Sequence, residues 1–182
     1  MSVERARQQL RAEGFSIDDD LIETYIRSAA EEIENAYALC ILPTIIEEEH
    51  IRFPGVSDFL FLKKRPVIEV LEIKYLNRDN VWDNFDLNKI ILTKRFETAC
   101  IVPDVVSVWP ETVCVDEKNY RPIVKIKYKA GFSDCEKIPS DMIQAILYKI
   151  TLAYERREDP PRVSARASDA LLSYHYNFLK HI

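Results

Sequence analysis

Between Ile138 and Asp159 the chain reads IPSDMIQAILYKITLAYERRED, and no other segment leaves so few ways to fold. Ser140 offers a hydroxyl to the unpaired N–H groups of a first helical turn, and Pro139 before it favours an extended entry. Ile143, Ile146, Leu147, Ile150, Ala153 and Tyr154 recur at steps of three and four, so they share one stripe. Pro160-Pro161 stops the helix, because proline lacks the N–H and clashes with the preceding turn. A helix over 140–158 with so wide an apolar stripe needs a partner. The matching segment is near the N-terminus, where Leu21, Ile22, Tyr25, Ile26, Ala29, Ile33, Ala36, Tyr37 and Cys40 keep helical spacing over 18–41. Ser16 with Asp19 resembles a capping box there, Asp18, Asp19 and Asp20 suit the positive end of the helix dipole, and Pro43 closes the run.

Residues 3–13 read as a shorter helix ended by Gly14, with Val3, Ala6 and Leu10 as its apolar side. From Thr44 the period changes from helical to alternating. Runs of β-formers at 45–53, 59–62, 67–76, 89–92 and 123–130 stand between Pro, Asn and Asp punctuation. In the last run Val124, Ile126 and Tyr128 alternate with Lys125, Lys127 and Lys129, giving one apolar and one wet face. The same pattern sets Leu71, Ile73 and Tyr75 against Glu72 and Lys74. Asn77-Arg78-Asp79-Asn80 reads as a hairpin turn, and 93–119 as irregular, with Trp109-Pro110 in an anchored loop. Ser168 can cap a terminal helix near 168–180 bearing Leu171, Leu172, Tyr174, Phe178 and Leu179. The expected fold is therefore α+β: a small helical bundle with a β-rich insertion, in a single domain 1–182. Its parts are N-terminal helices (1–43), the insertion (44–132), a core helix (138–159) and a C-terminal helix (163–182).

The chemistry that the sequence excludes narrows the function. Three glycines, Gly14, Gly55 and Gly131, cannot build a phosphate-cradling loop, and no G-x-S-x-G elbow is present. His50, His175 and His181 form no H-x-x-x-H or H-E-x-x-H pair, and Cys40, Cys100, Cys114 and Cys135 form no C-x-x-C, so no metal, cofactor or catalytic residue is expected. The cysteines read as reduced thiols, with Cys40 a small hydrophobe on its helix. Glu47-Glu48-Glu49-His50 looks like a ligand cluster, but in a strand Glu47 and Glu49 face away from Glu48 and His50, and a charge-guarded edge strand is the simpler reading. Glu31, Glu32 and Glu34 read as the wet face of the first long helix. A formal net charge of −5, from 25 basic and 30 acidic side chains, argues against a surface built to grip nucleic acid. Arg156-Arg157 with Arg162 and Arg166 is the only compact basic patch, and acidic neighbours dilute it. The polar N-terminus has no signal-peptide pattern, and no apolar run approaches the ~20 residues that span a bilayer, so a cytoplasmic protein without membrane contact is expected.

One succession of packing motifs is distinctive. Asp19-Asp20-Leu21-Ile22 is followed by Tyr25-Ile26 and Ala29-Ala30, then Leu62 with Arg65-Pro66-Val67 and Ile73-Lys74-Tyr75. Val124 to Gly131, Ile138-Pro139 and Tyr154-Glu155-Arg156-Arg157 complete it. In this order and spacing the chain resembles the head–tail connector (adaptor, or head-completion) proteins of long-tailed bacteriophages and prophages. The resemblance implies a non-enzymatic virion protein. It implies a homo-oligomeric ring of about a dozen copies that joins the portal to a downstream neck or tail protein, with DNA only as passing cargo. It places the protein in the virion neck, after assembly in the host cytoplasm. The terminal aromatic helix then becomes a candidate portal-docking element, with Arg162, Tyr174, Tyr176 and Phe178 as its interface. Two alternatives stand beside it: another neck or tail subunit such as a stopper or tail terminator, and a small hydrolase, for which no convergent catalytic residues are visible.

Overall fold

The computed structural model describes residues 3–10, 19–95, 98–113 and 121–155. Two compact units emerge, one from residues 1–41 with 134–182 and the other from residues 42–133.

The first unit contains helices α1 (Val3–Leu10), α2 (Asp19–Ala36) and α3 (Ser140–Glu155), each packed against the other two. As expected, α2 and α3 are the main pair. Ile22, Ala29 and Ile33 are the buried residues of α2, and Ala6 is buried on α1. On α3 the buried line is Met142, Ala145, Ile146 and Ile150, whereas Ile143, Leu147, Ala153 and Tyr154 are only half-buried. The expected stripe is thus rotated by about one residue. Lys149 accounts for part of the shift: its side chain is largely covered while Nζ reaches Glu32 Oε1 at 2.7 Å, so a lysine stem occupies an apolar position. The start of α3 also differs. Ser140 lies inside the first turn, and the carbonyl of Pro139 accepts from Ile143 N at 3.2 Å, so the cap position falls one residue earlier than Ser140.

The end of α2 corrects the expected span 18–41. The helix stops at Ala36, because Ala38 takes a left-handed conformation (φ 52°) and Leu39 N donates back to Glu34 O at 3.0 Å. This is the closing bond of a Schellman-type end with alanine where glycine is usual. Tyr37, Leu39 and Cys40 remain buried beyond the helix, and the Glu34 carboxylate accepts from Ile41 N at 2.6 Å.

The second unit is built from two antiparallel sheets. A four-stranded sheet has the order β1-β7-β3-β4, with β1 Thr44–His50, β3 Val67–Leu76, β4 Trp82–Asn84 and β7 Val124–Ala130. A three-stranded sheet has the order β2-β6-β5, with β2 Leu60–Phe61, β5 Ile90–Arg95 and β6 Thr98–Pro103. Buried side chains include Ile73, Ile126 and Tyr128 from the first sheet, and Leu60, Cys100 and Ile101 from the second. The expected helical bundle with a β insertion is therefore corrected within the α+β class: the middle of the chain is a compact unit of two sheets. β6 was hidden in the segment expected to be irregular. As the central strand of its sheet it buries Thr98 to Ile101 in succession, so it has no polar face to mark a period of two.

The alternation of β7 is as expected, with Val124, Ile126 and Tyr128 wholly buried. On β3 it breaks, since register shifts against β7 between Val67 and Glu69 and between Val70 and Glu72 leave Leu71 37% exposed. The turn at Asn77 to Asn80 is the β3–β4 hairpin connection: Asn77 Oδ1 accepts from Asp79 N and Val81 N, each at 3.0 Å, and Asn80 supplies the positive φ. Gly131 (φ 126°) follows β7, where a Cβ would overlap the Leu42 carbonyl.

The terminal helix near 168–180 lies outside the described residues, as do the Ser16 cap, Pro160-Pro161, Cys114, His175, His181 and the arginines from Arg156 to Arg166. No described helix is long and apolar enough to cross a membrane.

Candidate functional site

Three features of the second unit carry chemistry worth weighing. The first is the outer face of the four-stranded sheet. Strand register sets Lys127 between Glu47 on β1 and Glu72 on β3, and Lys125 between Glu49 and Lys74. Lys125 Nζ lies 2.8 Å from Glu49 Oε1, and Lys74 Nζ lies 2.9 Å from Glu72 Oε1. The Glu49 carboxylate, by hydrogen bond and charge, raises the Lys125 ammonium above its ordinary range. Glu47, Glu72, Lys74, Trp82, Lys125 and Lys127 line a shallow groove of about 500 Å³, with Lys125 Nζ 5.6 Å from the centre of the Trp82 ring. Acids and bases are mixed on this face, with Lys125 beside both Glu49 and Lys74, so it offers no concentrated positive field for a phosphate backbone.

The second feature lies beneath that sheet. Glu48, expected on the same side as His50, is 6% exposed and bonded inward. Its Oε1 accepts from the Tyr128 hydroxyl on β7 and from Lys63 N at 2.9 Å, while Tyr128 itself accepts from Lys64 N at 3.0 Å. His50 Nε2 stands 3.5 Å from Glu48 Oε2, an ion-pair distance longer than a good hydrogen bond. Burial pushes the Glu48 carboxyl up, yet the contacts from His50, Tyr128 and Lys63 N–H outweigh it and hold the group below its ordinary value. The cluster ties β1 and β7 to the chain that leaves β2. It is a structural clamp, since Tyr128, Lys63 N–H and His50, which meet Glu48, all belong to the framework of the sheet unit. The expected guarded edge strand is present, because β1 is an edge and Glu47 and Glu49 are exposed; only the wet placement of its middle glutamate is missed.

The third feature is an apolar tip. Ser107 N donates to Asp104 O at 2.8 Å, closing a turn whose two central residues, Val105 and Val106, are 94% and 90% exposed. Valine is unfavourable at turn centres, where Asn, Gly, Pro and Asp prevail for conformational reasons. Val56 and Val108 add further exposed apolar surface. The tip is held firmly from below. Asp104 N donates to Lys89 O at 2.8 Å, Trp109 N to Val56 O at 3.2 Å, and Trp109 Nε1 to Asp58 O at 2.9 Å. Trp109 is stacked on Phe53 at 4.7 Å and packs beside Phe85 at 5.6 Å, so the anchored loop expected at Trp109-Pro110 is observed. Exposed valines on a turn anchored in this way leave an apolar tip open to solvent. Turn chemistry is the sequence signal that exposes them: DVVSV has an Asp-initiated turn with the wrong residues at its centre.

Arg162, Tyr174, Tyr176 and Phe178, the sequence-predicted interface, all lie outside the described residues. Among the described residues no group of three or more His, Cys, Asp or Glu side chains is placed to hold a metal. Cys40 and Cys100 are buried cysteines outside any disulfide, and Cys135 is an exposed one. Burial pushes the Cys100 thiol up, against an opposing pull from Arg95.

No protein-family model matches the chain, and no curated protein is significantly similar to it in sequence. Solved structures do share its fold. A chain from the virion of a native gene transfer agent particle aligns with a TM-score of 0.73 at 19% identity, covering 96% of this chain and 88% of that one. A chain from the neck of the empty particle, computed with C6 symmetry, aligns equally well, at 0.73 and 19% over the same shares. A chain from the neck of the native particle, computed with C12 symmetry, aligns at 0.71 and 18%, covering 94% of this chain and 86% of that one. The chain therefore has the fold of proteins found in the neck of a phage-like particle.

Proposed function

We propose that this protein is a structural subunit of the neck of a phage or phage-like particle, a head–tail connector. Its copies close into a ring of about a dozen beneath the portal, continue the DNA channel and present a surface to the next neck or tail protein. It has no catalytic role. It acts in the virion neck and is assembled in the host cytoplasm. The single observation that carries this reading is the fold likeness over nearly the whole chain to neck chains of the gene transfer agent, whose necks were computed with C6 and C12 symmetry.

Charge supports it. A net charge of −5 and a sheet face on which acids and bases are mixed make few lasting phosphate contacts, which suits a channel through which DNA slides. The C-terminal segment 163–182 docks on the portal, with Tyr174, Tyr176 and Phe178 and the preceding Arg162 as anchors, because an amphipathic aromatic helix suits a groove on a partner.

Light scattering of the purified protein over a wide concentration range, with negative-stain imaging of the peak, tests the ring. Closed rings of about a dozen copies are expected. A strict monomer that also fails to bind its portal sinks the reading. Alanine at Tyr174, Tyr176 and Phe178 together is expected to abolish portal binding while the far-UV spectrum holds. A second reading, a stopper or tail-terminator subunit, is favoured by the two sheets of residues 42–133. It predicts binding to tail components with none to the portal.

A further inference from the structure

Among the described residues, the two sheets have four edge strands, but β2 has 2 residues and β4 has 3. Of these four, β1, with 7, and β5, with 6, are long enough to add a strand along their length; β3 also runs past β4 from Val67 to Glu72, but register shifts interrupt it there. Their sequences are complementary when read in the same direction. β1 runs Thr44-Ile45-Ile46 and then Glu47-Glu48-Glu49; β5 runs Ile90-Ile91-Leu92-Thr93 and then Lys94-Arg95. Each strand is apolar first and charged second, with opposite signs. The apolar halves are exposed at Ile45, Ile91 and Leu92, which is a poor arrangement for an edge facing only water. The valine turn extends the same surface, since the bond from Asp104 N to Lys89 O sets it beside the first residue of β5. Leu42, 63% exposed, lies just before β1.

Building on the ring reading above, we infer that β5 of one copy pairs in parallel with β1 of the next copy, with Leu92 opposite Ile45 and Lys94 opposite Glu47. Parallel pairing in this register sets Leu92 against Ile45 and Lys94 against Glu47 on one face, with Ile91 against Thr44 and Thr93 against Ile46 on the other, and it brings Val105 and Val106 towards the Leu42 end of the neighbour. Antiparallel pairing crosses the halves, setting Lys94 and Arg95 against Ile45 and Ile46. Pairing of β1 with another β1 brings Glu47 and Glu49 against like charge, so the acidic run disfavours a symmetric dimer. Contact between two different edges is heterologous and generates a ring when the rotation closes. Main-chain hydrogen bonds supply the strength, and the charged pair supplies the register.

The test is a charge exchange in the full-length protein, with assembly followed by light scattering and circular dichroism confirming the fold. Lys94→Glu and Glu47→Lys are each expected to raise the concentration at which rings half-form by about tenfold or more, and the double variant to restore much of it. Rings that persist unchanged in both single variants, or a double variant no better than either single, overturn the strand pairing and leave the ring reading intact. A wild-type chain that forms no ring at any concentration overturns the strand pairing, and when it also fails to bind its portal it overturns the ring reading as well.

Discussion

The Tyr128 hydroxyl on β7 donates to the Glu48 carboxylate on β1, so a charged side chain in a run of three glutamates is anchored inside the sheet unit. Lys63 N–H and Lys64 N–H complete the cluster from the chain after β2. Tyr128→Phe removes the donor to Glu48 and the acceptor for Lys64 N in a dry site. It is expected to lower stability by about 1–3 kcal/mol, read as a shift in the urea midpoint with unchanged slope. Glu48→Gln is expected to cost a similar amount, and the double variant less than the sum, because both changes act on the Tyr128–Glu48 bond.

The same cluster sets a pH dependence. The folded-state value of Glu48 is held below the ordinary 4.5, so its ionised form stabilises the fold fully above that value. The contribution is lost as pH falls below 4.5 and through the folded value. Thermal unfolding between neutral pH and about pH 3 is expected to show a steeper acid limb for the wild type than for Glu48→Gln. Parallel limbs for the two proteins contradict this role for Glu48.

Two small residues predict opposite signs. Ala38 closes α2 in a left-handed conformation that glycine adopts without strain, so Ala38→Gly is expected to stabilise by about 0.5–1 kcal/mol. Gly131 needs both its positive φ and its missing side chain, since a Cβ there meets the Leu42 carbonyl and Pro43 nitrogen. Gly131→Ala is expected to destabilise by more than about 2 kcal/mol. Differential scanning calorimetry reads both changes.

Trp109 supports the valine turn. Trp109→Phe keeps a ring against Phe53 and loses the bond to Asp58 O, for an expected loss of about 1 kcal/mol. Trp109→Ala also empties the aromatic cluster and is expected to cost about 3–5 kcal/mol. Hydrogen exchange at Ser107 N, the bond that closes the turn, is expected to quicken more in the alanine variant than in the phenylalanine one.

The pairing of α2 with α3, the span of β3, the two-faced pattern of β7 and the Asn77 turn were all legible along the chain. In each, one local period or one turn residue carries the signal. Helix ends were not. Ala38 fills a place where glycine is the usual marker, and Lys149 lies on a buried stripe that a count of apolar residues passes over. The valine turn was readable only as a breach of turn chemistry, and the segment 163–182, with the aromatic interface proposed there, keeps its sequence-based reading.

By itself, the sequence determined that the stretches of α1, α2 and α3 are helical and that β7 alternates, and it holds no nucleotide loop or short-range metal motif, because those properties depend on neighbours a few residues apart. Tertiary structure alone decided that β6 lies at the centre of a sheet, that Glu48 turns inward to Tyr128, and that β1 and β5 are left as the two long edges. Each of these depends on residues far apart in the chain: Glu48 and Tyr128 are 80 positions apart, and no local pattern encodes a bond of that span. A central strand, likewise, is recognised by what covers both its faces, and those faces are assembled only when distant strands meet.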